Sequence, residues 1–387
     1  MSISYWQDKN QSAQTCDVAI IGGGIAGFST AYWLKKEDPS LKVLVIEKGS
    51  IGAGATGRNA GFITCGSVEH FNRLVERWGR EKALEIWRFS EVNLQLLKDH
   101  IILDDQSLEF DGNGTFSLAS TQEELQELQK TMKLMASFDI PVEALDEKQI
   151  EKRAGVVGFV GGIKYLQDAS VHPLKLLSRM ALLGGAEVAT HSEVYSIEPQ
   201  PSGETRLRTQ HGTIEAGAVV LATNGYSPLL SRYFADKIFP TRGQIMVTES
   251  VAKFMEGPCY ANFVLDYFRQ LEDGRVLIGG FRQLEKATEV GYSDHTTDVI
   301  QNSLYEFLQK HLPALKGKAI THRWSGVMGF SFDGQPLVGS LPDQPQTYFV
   351  GGFTGHGLGL AFHSAKVLVD LMFGRSIPDF LSAKRAP

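Results

Sequence analysis

Three glycines carry the first sign of chemistry in this sequence. Gly22, Gly24 and Gly27 stand in GGGIAG, a GxGxxG spacing that directly follows the apolar, β-branched run Asp17 to Ile21. Behind them comes FSTAYWLKK, with Phe28, Ala31, Tyr32 and Leu34 at helical spacing, and then a second strand-like run, Lys42 to Ile46, that ends in Glu47. Each residue type has a task in holding a dinucleotide. Gly22 lets the chain turn tightly, Gly24 lets the amides around Ile25 and Ala26 approach a pyrophosphate, and Gly27 lets the helix pack close to the strand. The helix N-terminus then faces the anion. Glu47, twenty positions after Gly27, can accept hydrogen bonds from both ribose hydroxyls and would repel a 2′-phosphate.

This motif alone does not separate FAD from NAD, and three later segments decide. Glu47 is followed by KGSIGAGATGRNAGF, a loop of small residues running from Lys48 through Ala55 and Thr56 to its single guanidinium, Arg58, and on to Asn59, Ala60 and Gly61. Such a loop can run close along a long ligand. Ala218 to Thr223 reads as a buried strand that stops at Asn224-Gly225. Near the C-terminus, Tyr348 to Val350 reads as a strand, Gly351 to Gly359 as a glycine-rich turn, and the next fourteen residues as a helix, a second strand-turn-helix anion site. No second GxGxxG follows a strand, which argues against a separate nicotinamide-nucleotide domain.

Taken together, GGGIAG at 22 to 27, GATGRNAG at 54 to 61, LATNGY at 221 to 226, RWSGVMGFSFDGQPLVG at 323 to 339 and GGFTGHGLG at 351 to 359 resemble the D-amino-acid oxidase family of FAD-dependent oxidoreductases. That family includes glycine and sarcosine oxidases and the γ-glutamylputrescine oxidoreductases. The resemblance covers nearly the whole chain. It implies an α/β fold: a discontinuous Rossmann-like FAD-binding domain of the glutathione-reductase type, with an inserted α+β substrate domain containing an antiparallel sheet. It also implies that Arg58 to Gly61 lie beside flavin and pyrophosphate, and that the backbone of Val194 holds the adenine. Ala55, Thr56, Ala222, Thr223, Asn224, Gly225, Gly326 and Met328 fall within the same family motifs as cofactor contacts, and Lys48, directly after Glu47, is a further expected contact. The helix after Gly355-His356-Gly357, with Leu358 and Gly359, would point at the flavin N1 and C2 carbonyl, where a helix N-terminus stabilises the negative charge of the reduced ring.

The expected cofactor domain comprises residues 15–80, 154–235 and 321–387, and the substrate domain residues 81–153 and 236–320. Apolar residues recur at helical spacing from Trp78 to His100 and again from Ser120 to Ser137, where Ser120 and Glu123 are placed to form a capping box. Between Thr241 and Phe281 the texture changes to short alternating runs with a turn at Asp273-Gly274, the mark of a hairpin.

In this family the substrate amine binds uncharged, its α-hydrogen leaves as hydride to flavin N5, and water hydrolyses the imine. The protein supplies orientation and electrostatics. The arginine that grips a substrate carboxylate in glycine oxidases is Met328 here, and the lysine that sarcosine oxidases carry two positions beyond the GHG turn is Gly359. A simple glycine-like substrate is therefore disfavoured. Arg242, Arg269 and Arg282 are the cations that could replace them, with Tyr267 and His356 as further substrate-side candidates. DYFR, the strand after it and RGQ most resemble the γ-glutamylputrescine oxidoreductases. Sarcosine oxidases attach FAD through a cysteine near the stretch held here by Trp324 to Met328, where this chain has none, so the resemblance implies a noncovalent FAD. The electron acceptor is oxygen, a quinone or another carrier. Two other readings stay open: a 2-hydroxy-acid dehydrogenase with His356 as base, and a non-catalytic flavoprotein that assembles a partner complex.

Composition narrows the partners. A formal charge of −6 and a pI near 6.0 give no basic field for nucleic acid. The three cysteines, Cys16, Cys65 and Cys259, have no CxxC spacing, which predicts neither a disulfide framework nor a metal site. The first sixteen residues read as a polar arm, no run is long and apolar enough to span a bilayer, and a cytoplasmic protein is expected.

Overall fold

The computed structural model describes Tyr5 and residues 13–64, 66, 68–262 and 266–385. Cys65 and most of the polar N-terminal arm lie outside the described residues. The chain divides into two compact units, one of residues 1–57, 174–241 and 328–387 and one of residues 58–173 and 242–327. Residues 58–80, 154–173 and 321–327, expected with the cofactor segments, thus fold with the second unit, and 236–241 fold with the first. The reason is pairing at long range. Phe62–Ile63 pairs with Ala169–Ser170, and Gly161–Tyr165 lies between two strands of the second unit's sheet. Neither pairing leaves a local trace in the sequence.

The first unit is built on a largely parallel sheet. Val18 to Ile21 are flanked by parallel strands on both sides, Val43–Ile46 and Gly212–Leu221, and all four are buried. Burial on both faces of this central strand explains a continuous apolar run where an alternating one would expose half its residues. The helix Ile25–Glu37 buries every residue from Ile25 to Leu34. It packs against the helix Gly357–Met372, where Trp33 Nε1 donates to the Phe362 carbonyl at 3.0 Å and the two rings stand 5.0 Å apart. This second helix begins inside the glycine run expected as a turn.

In the second unit a mostly antiparallel sheet shows strict two-residue alternation. Phe116, Met246, Phe268 and Ile278 point into a core completed by Ile300, Leu304, Phe307 and Leu308 of the helix Asp298–His311. Their neighbours in sequence, Ile245, Val247, Tyr267 and Leu277, line the opposite face with Ala60, Phe62 and Trp324. The hairpin turn falls at Asp273-Gly274, with Gly274 at φ +84. Two helical expectations need correction. The first helix runs from Val68 to Leu97 and is broken at Gly79, whose φ of 77 lies outside the helical region. The second spans Gln122–Ala136 and is capped one residue later than expected: Thr121 Oγ1 accepts from the Glu124 amide at 3.2 Å, and the Glu124 carboxylate accepts from the Ser120 amide at 2.6 Å.

An ion network ties the second sheet to the helix Glu147–Ala154. Glu256 accepts from Arg153 Nε at 2.6 Å and Nη2 at 2.8 Å, and from buried Lys164. These hydrogen bonds, Arg153 foremost, hold its carboxyl at about 2, below the ordinary 4.5. Because the folded pKa is depressed, the stabilisation is complete above pH 4.5 and is lost as pH falls from there toward 2. In urea titrations at pH 5 and pH 3, Glu256→Gln is therefore expected to lie well below the parent at pH 5 and to approach it at pH 3.

Candidate cofactor and substrate sites

In the first unit the glycine motif forms a cradle that only glycines permit. A Cβ at Gly27 would lie 1.9 Å from the Gly22 carbonyl oxygen, and one at Gly22, where φ is +116, would lie 2.7 Å from the carbonyl oxygen of Ala222. A Cβ at Gly24 would come within 3.0 Å of Thr56 Oγ1, which itself accepts from the Ile25 amide at 3.0 Å. The helix Ile25–Glu37 has no side-chain cap and no acid in its first turn, so the positive end of its dipole is left for an anion. Glu47 is aimed by two amides, accepting from Gly23 at 2.8 Å and from Gly49 at 2.9 Å. The loop leading to Val194 runs beside it, since Ser192 N donates to the Glu47 carbonyl and Glu47 N to that of Ala189, both at 2.9 Å. Val194 itself opens the strand Val194–Pro199. Lys48 lies over the ring of Tyr226, 4.3 Å from its centre. Glycine cradle, uncapped helix and fixed carboxylate match the diphosphate and ribose of FAD. The donors and acceptors present fit that group.

A second cluster of motif residues gathers around the strand end at Gly351. The Asn224 side chain accepts from the Gly352 amide at 2.8 Å, and a Cβ at Gly225 would lie 2.9 Å from the Met328 carbonyl oxygen. Asn224 and Gly225 therefore brace the C-terminal glycine turn with their own atoms. Gly355, at φ +87, faces the Met328 sulfur. His356 caps the helix Gly357–Met372 by backbone alone, with its Nδ1 3.0 Å from the Thr354 carbonyl. That helix too has no acid in its first turn, where Gly357, Leu358 and Gly359 stand.

The second unit holds the remaining candidates. Arg58 Nη1 donates to the Ser325 carbonyl at 2.8 Å and pairs with Asp294 at 2.9 Å, while the Arg58 carbonyl accepts from Trp324 Nε1 at 3.1 Å. Gly326 is kept small by this arrangement: its Cβ would lie 3.0 Å from that of Arg58. Asn59 turns the chain by accepting from the Gly61 amide at 2.7 Å, and Ala60 is buried.

The three substrate-side arginines have different fates. Arg242 is buried and committed: it pairs with fully buried Glu289 through Nε at 3.1 Å and Nη2 at 2.8 Å, and Gln244 shares that carboxylate. It is a structural hub, contrary to its expected role at the substrate. Arg282 is partly buried, and burial lowers its pKa while Glu289 opposes the shift. Arg269 is buried on the same strand as Tyr267, and its Nη2 donates to the Val171 carbonyl at 2.9 Å. Burial pushes its pKa down to about 10, and pushes the Tyr267 phenol up to about 12 with help from Asp266. Both groups thus keep their protons at neutral pH. The sharing of a face by Tyr267 and Arg269 was available from the alternation of DYFRQL; the pairing of Arg242 with Glu289, 47 positions away, was not.

An α/β nucleotide cradle joined in one chain to a mostly antiparallel-sheet lobe is the arrangement expected of an FAD-dependent oxidoreductase. The chain belongs to the family described as DAO: FAD dependent oxidoreductase, whose model matches residues 17–371. It is 28% identical to the probable oxidoreductase OrdL of Rhizobium meliloti over 97% of this chain and 87% of that one. It is 25% identical to γ-glutamylputrescine oxidoreductase of Escherichia coli over 95% and 86%. In fold it is similar to glycine oxidase from Geobacillus kaustophilus, with a TM-score of 0.82 at 21% identity, covering 97% of this chain and all of the other. Among the described residues no helix is long and apolar enough to cross a membrane, and no group of three or more His, Cys, Asp or Glu gathers as metal ligands.

Two predictions test this geometry. Gly27→Val should yield protein that retains no FAD, while Glu47→Gln, which keeps the shape and removes the charge, should weaken FAD binding by about tenfold to a hundredfold in reconstitution titrations. Arg242→Met, which strands the Glu289 carboxylate in the interior, should cost about 3–5 kcal/mol in urea unfolding. Pairing it with Glu289→Leu should recover most of that loss.

Proposed function

We propose that this protein oxidises amines, taking a hydride from the carbon next to nitrogen of a small amine or N-substituted amino acid and releasing an imine that water hydrolyses. Bound FAD supplies the two-electron acceptor for that step. Its diphosphate and ribose would be held by the Gly22–Gly27 cradle and Glu47, and the N-terminal end of the helix Gly357–Met372, which has no acid in its first turn, would face a second negative charge. We propose noncovalent attachment. Among the described cysteines, burial pushes the Cys16 thiol up to about 12 and raises that of Cys259, so neither offers a thiolate.

The observation that carries the amine reading is the character of the polar groups on the Tyr267 face. Tyr267 and Arg269 are donors that hold their protons, set among Phe62, Leu277 and Trp324. A cationic donor disfavours the ammonium form beside it and, when bonded to another acceptor of the substrate, leaves the lone pair of the neutral amine to drive hydride loss. Oxidation of a hydroxy acid needs a base at the carbinol, which His356, with its Nδ1 at the Thr354 carbonyl within its own turn, would offer only through Nε2. Relatedness to γ-glutamylputrescine oxidoreductase supports a substrate in which an amine is joined to a carboxylate-bearing portion. The acceptor that reoxidises the cofactor would be oxygen, a quinone or another carrier, in a cytoplasmic setting.

The test is anaerobic mixing of the yellow holoprotein with a panel of amines and N-alkyl amino acids. At least one should bleach the flavin absorbance and release an aldehyde or keto acid with the amine or ammonia. Bleaching by 2-hydroxy acids alone, with every amine inert, would overturn the reading. Readmission of air with detection of peroxide then distinguishes an oxidase from a dehydrogenase.

A further inference from the structure

Two guanidinium groups lie buried in the second unit, 2% exposed at Arg242 and 6% at Arg269, and they differ in what surrounds them. Arg242 is met by a carboxylate, a histidine nitrogen and two carbonyls. Arg269 has the Val171 carbonyl on Nη2 and nothing else: its Nε is buried without a partner, and no hydrogen bond is made by Nη1 among the described residues. Glu109 and Asp111 influence it only from beyond ion-pair distance. A buried cation with most of its donors unused is costly unless an anion completes it.

The glycines beside it fix the guanidinium where it stands. A Cβ at Gly61 would lie 2.8 Å from Arg269 Nη2 and 2.2 Å from the Val171 carbonyl oxygen, and its φ of +78 also favours glycine. Any side chain there would displace the guanidinium. Tyr267, on the same side of the strand at about 6.5–7 Å along it, lies over Gly279, and its hydroxyl makes no hydrogen bond among the described residues. Gly61 and Gly279 thus let the Arg269 and Tyr267 side chains take up these positions with donors unspent.

We propose that Arg269 binds a carboxylate of the substrate, with Gly61 as the position that admits this geometry, so that the preferred substrates are amines that carry a carboxylate. This rests on the amine-oxidation reading for the reaction, whereas the anion site itself does not need it.

The test uses purified holoenzyme at neutral pH. Propionate and its neutral counterpart propionamide are titrated by calorimetry into the parent, Arg269→Lys and Arg269→Met, with FAD content and melting temperature measured alongside. The parent should bind propionate and discriminate against propionamide. Arg269→Met should weaken propionate by about tenfold to a hundredfold, and Arg269→Lys by less. With sarcosine and dimethylamine as substrates, Arg269→Met should raise the KM for sarcosine by a similar factor relative to that for dimethylamine. Equal propionate affinity in parent and Arg269→Met would overturn the proposal, as would parallel losses for propionate and propionamide, the mark of a strut for Val171. Should Arg269→Met fail to fold, unaltered propionate affinity in Arg269→Lys is the overturning result. If no amine bleaches the parent yet propionate binding still depends on Arg269, the amine reading fails and the anion site stands.

Discussion

The architecture of the first unit depends on one contact, the approach of Gly27 to the Gly22 carbonyl. With a Cβ only 1.9 Å from that oxygen, no other residue allows the helix to come so near the turn that precedes it. Because it does come near, the free amides and the positive end of the helix dipole open at the strand end. The neighbours are set by the same closeness. The Ala222 carbonyl covers Gly22, Thr56 meets the Ile25 amide, and the Gly23 amide fixes the Glu47 carboxylate at 2.8 Å. Moving the helix outward by the radius of one methyl group would carry the Ile25 amide away from Thr56.

The second unit solves a different problem by a different rule. A strand alternates its side chains, so one strand can serve a core and a second surface without conflict. In Asp266–Gln270, Phe268 is fully buried against Phe307, with their ring centres 5.5 Å apart, while Tyr267 and Arg269 are turned to the other side. Met246 and Ile278 join Phe268, whereas Ile245, Val247 and Leu277 join Tyr267. Packing fixes the strand on one side and thereby fixes the polar donors on the other. The donors need no elaborate support of their own.

Legibility in the sequence follows the range of the interaction. The GxGxxG turn, its flanking strands and the carboxylate after the second strand are local features, and each could be read from a few consecutive residues. The hairpin at Asp273-Gly274 was equally plain, because the turn chemistry and the alternation sit side by side. What escaped depends on partners far along the chain. The domain boundary moved to Arg58 because Phe62–Ile63 pairs with Ala169–Ser170, more than a hundred positions on. The helix from Val68 was read as starting at Trp78 because Gly79 interrupts it and weakens its period. The fate of each arginine was the least legible of all. Arg242 in TRGQ and Arg269 in DYFR look alike as isolated cations, and only the fold brings Glu289 to the first.

That divergence has an energetic meaning. Taking a guanidinium out of water costs several kcal/mol, and a carboxylate in good geometry offsets the cost. Arg242 and Glu289 do this for each other, and Gln244 satisfies the carboxylate further. At Arg269 the fold provides a single carbonyl and a distant acidic field, so part of the cost persists in the folded state. A hydrophobic residue of similar size would remove it, and local departures of this kind are where functional demands on a fold are usually found. An anion arriving at Arg269 would gain its own hydrogen bonds and also relieve a charge that the protein already holds at a disadvantage. Stability withheld at that position is returned as affinity, whereas at Arg242 the same residue type has been spent on the fold itself.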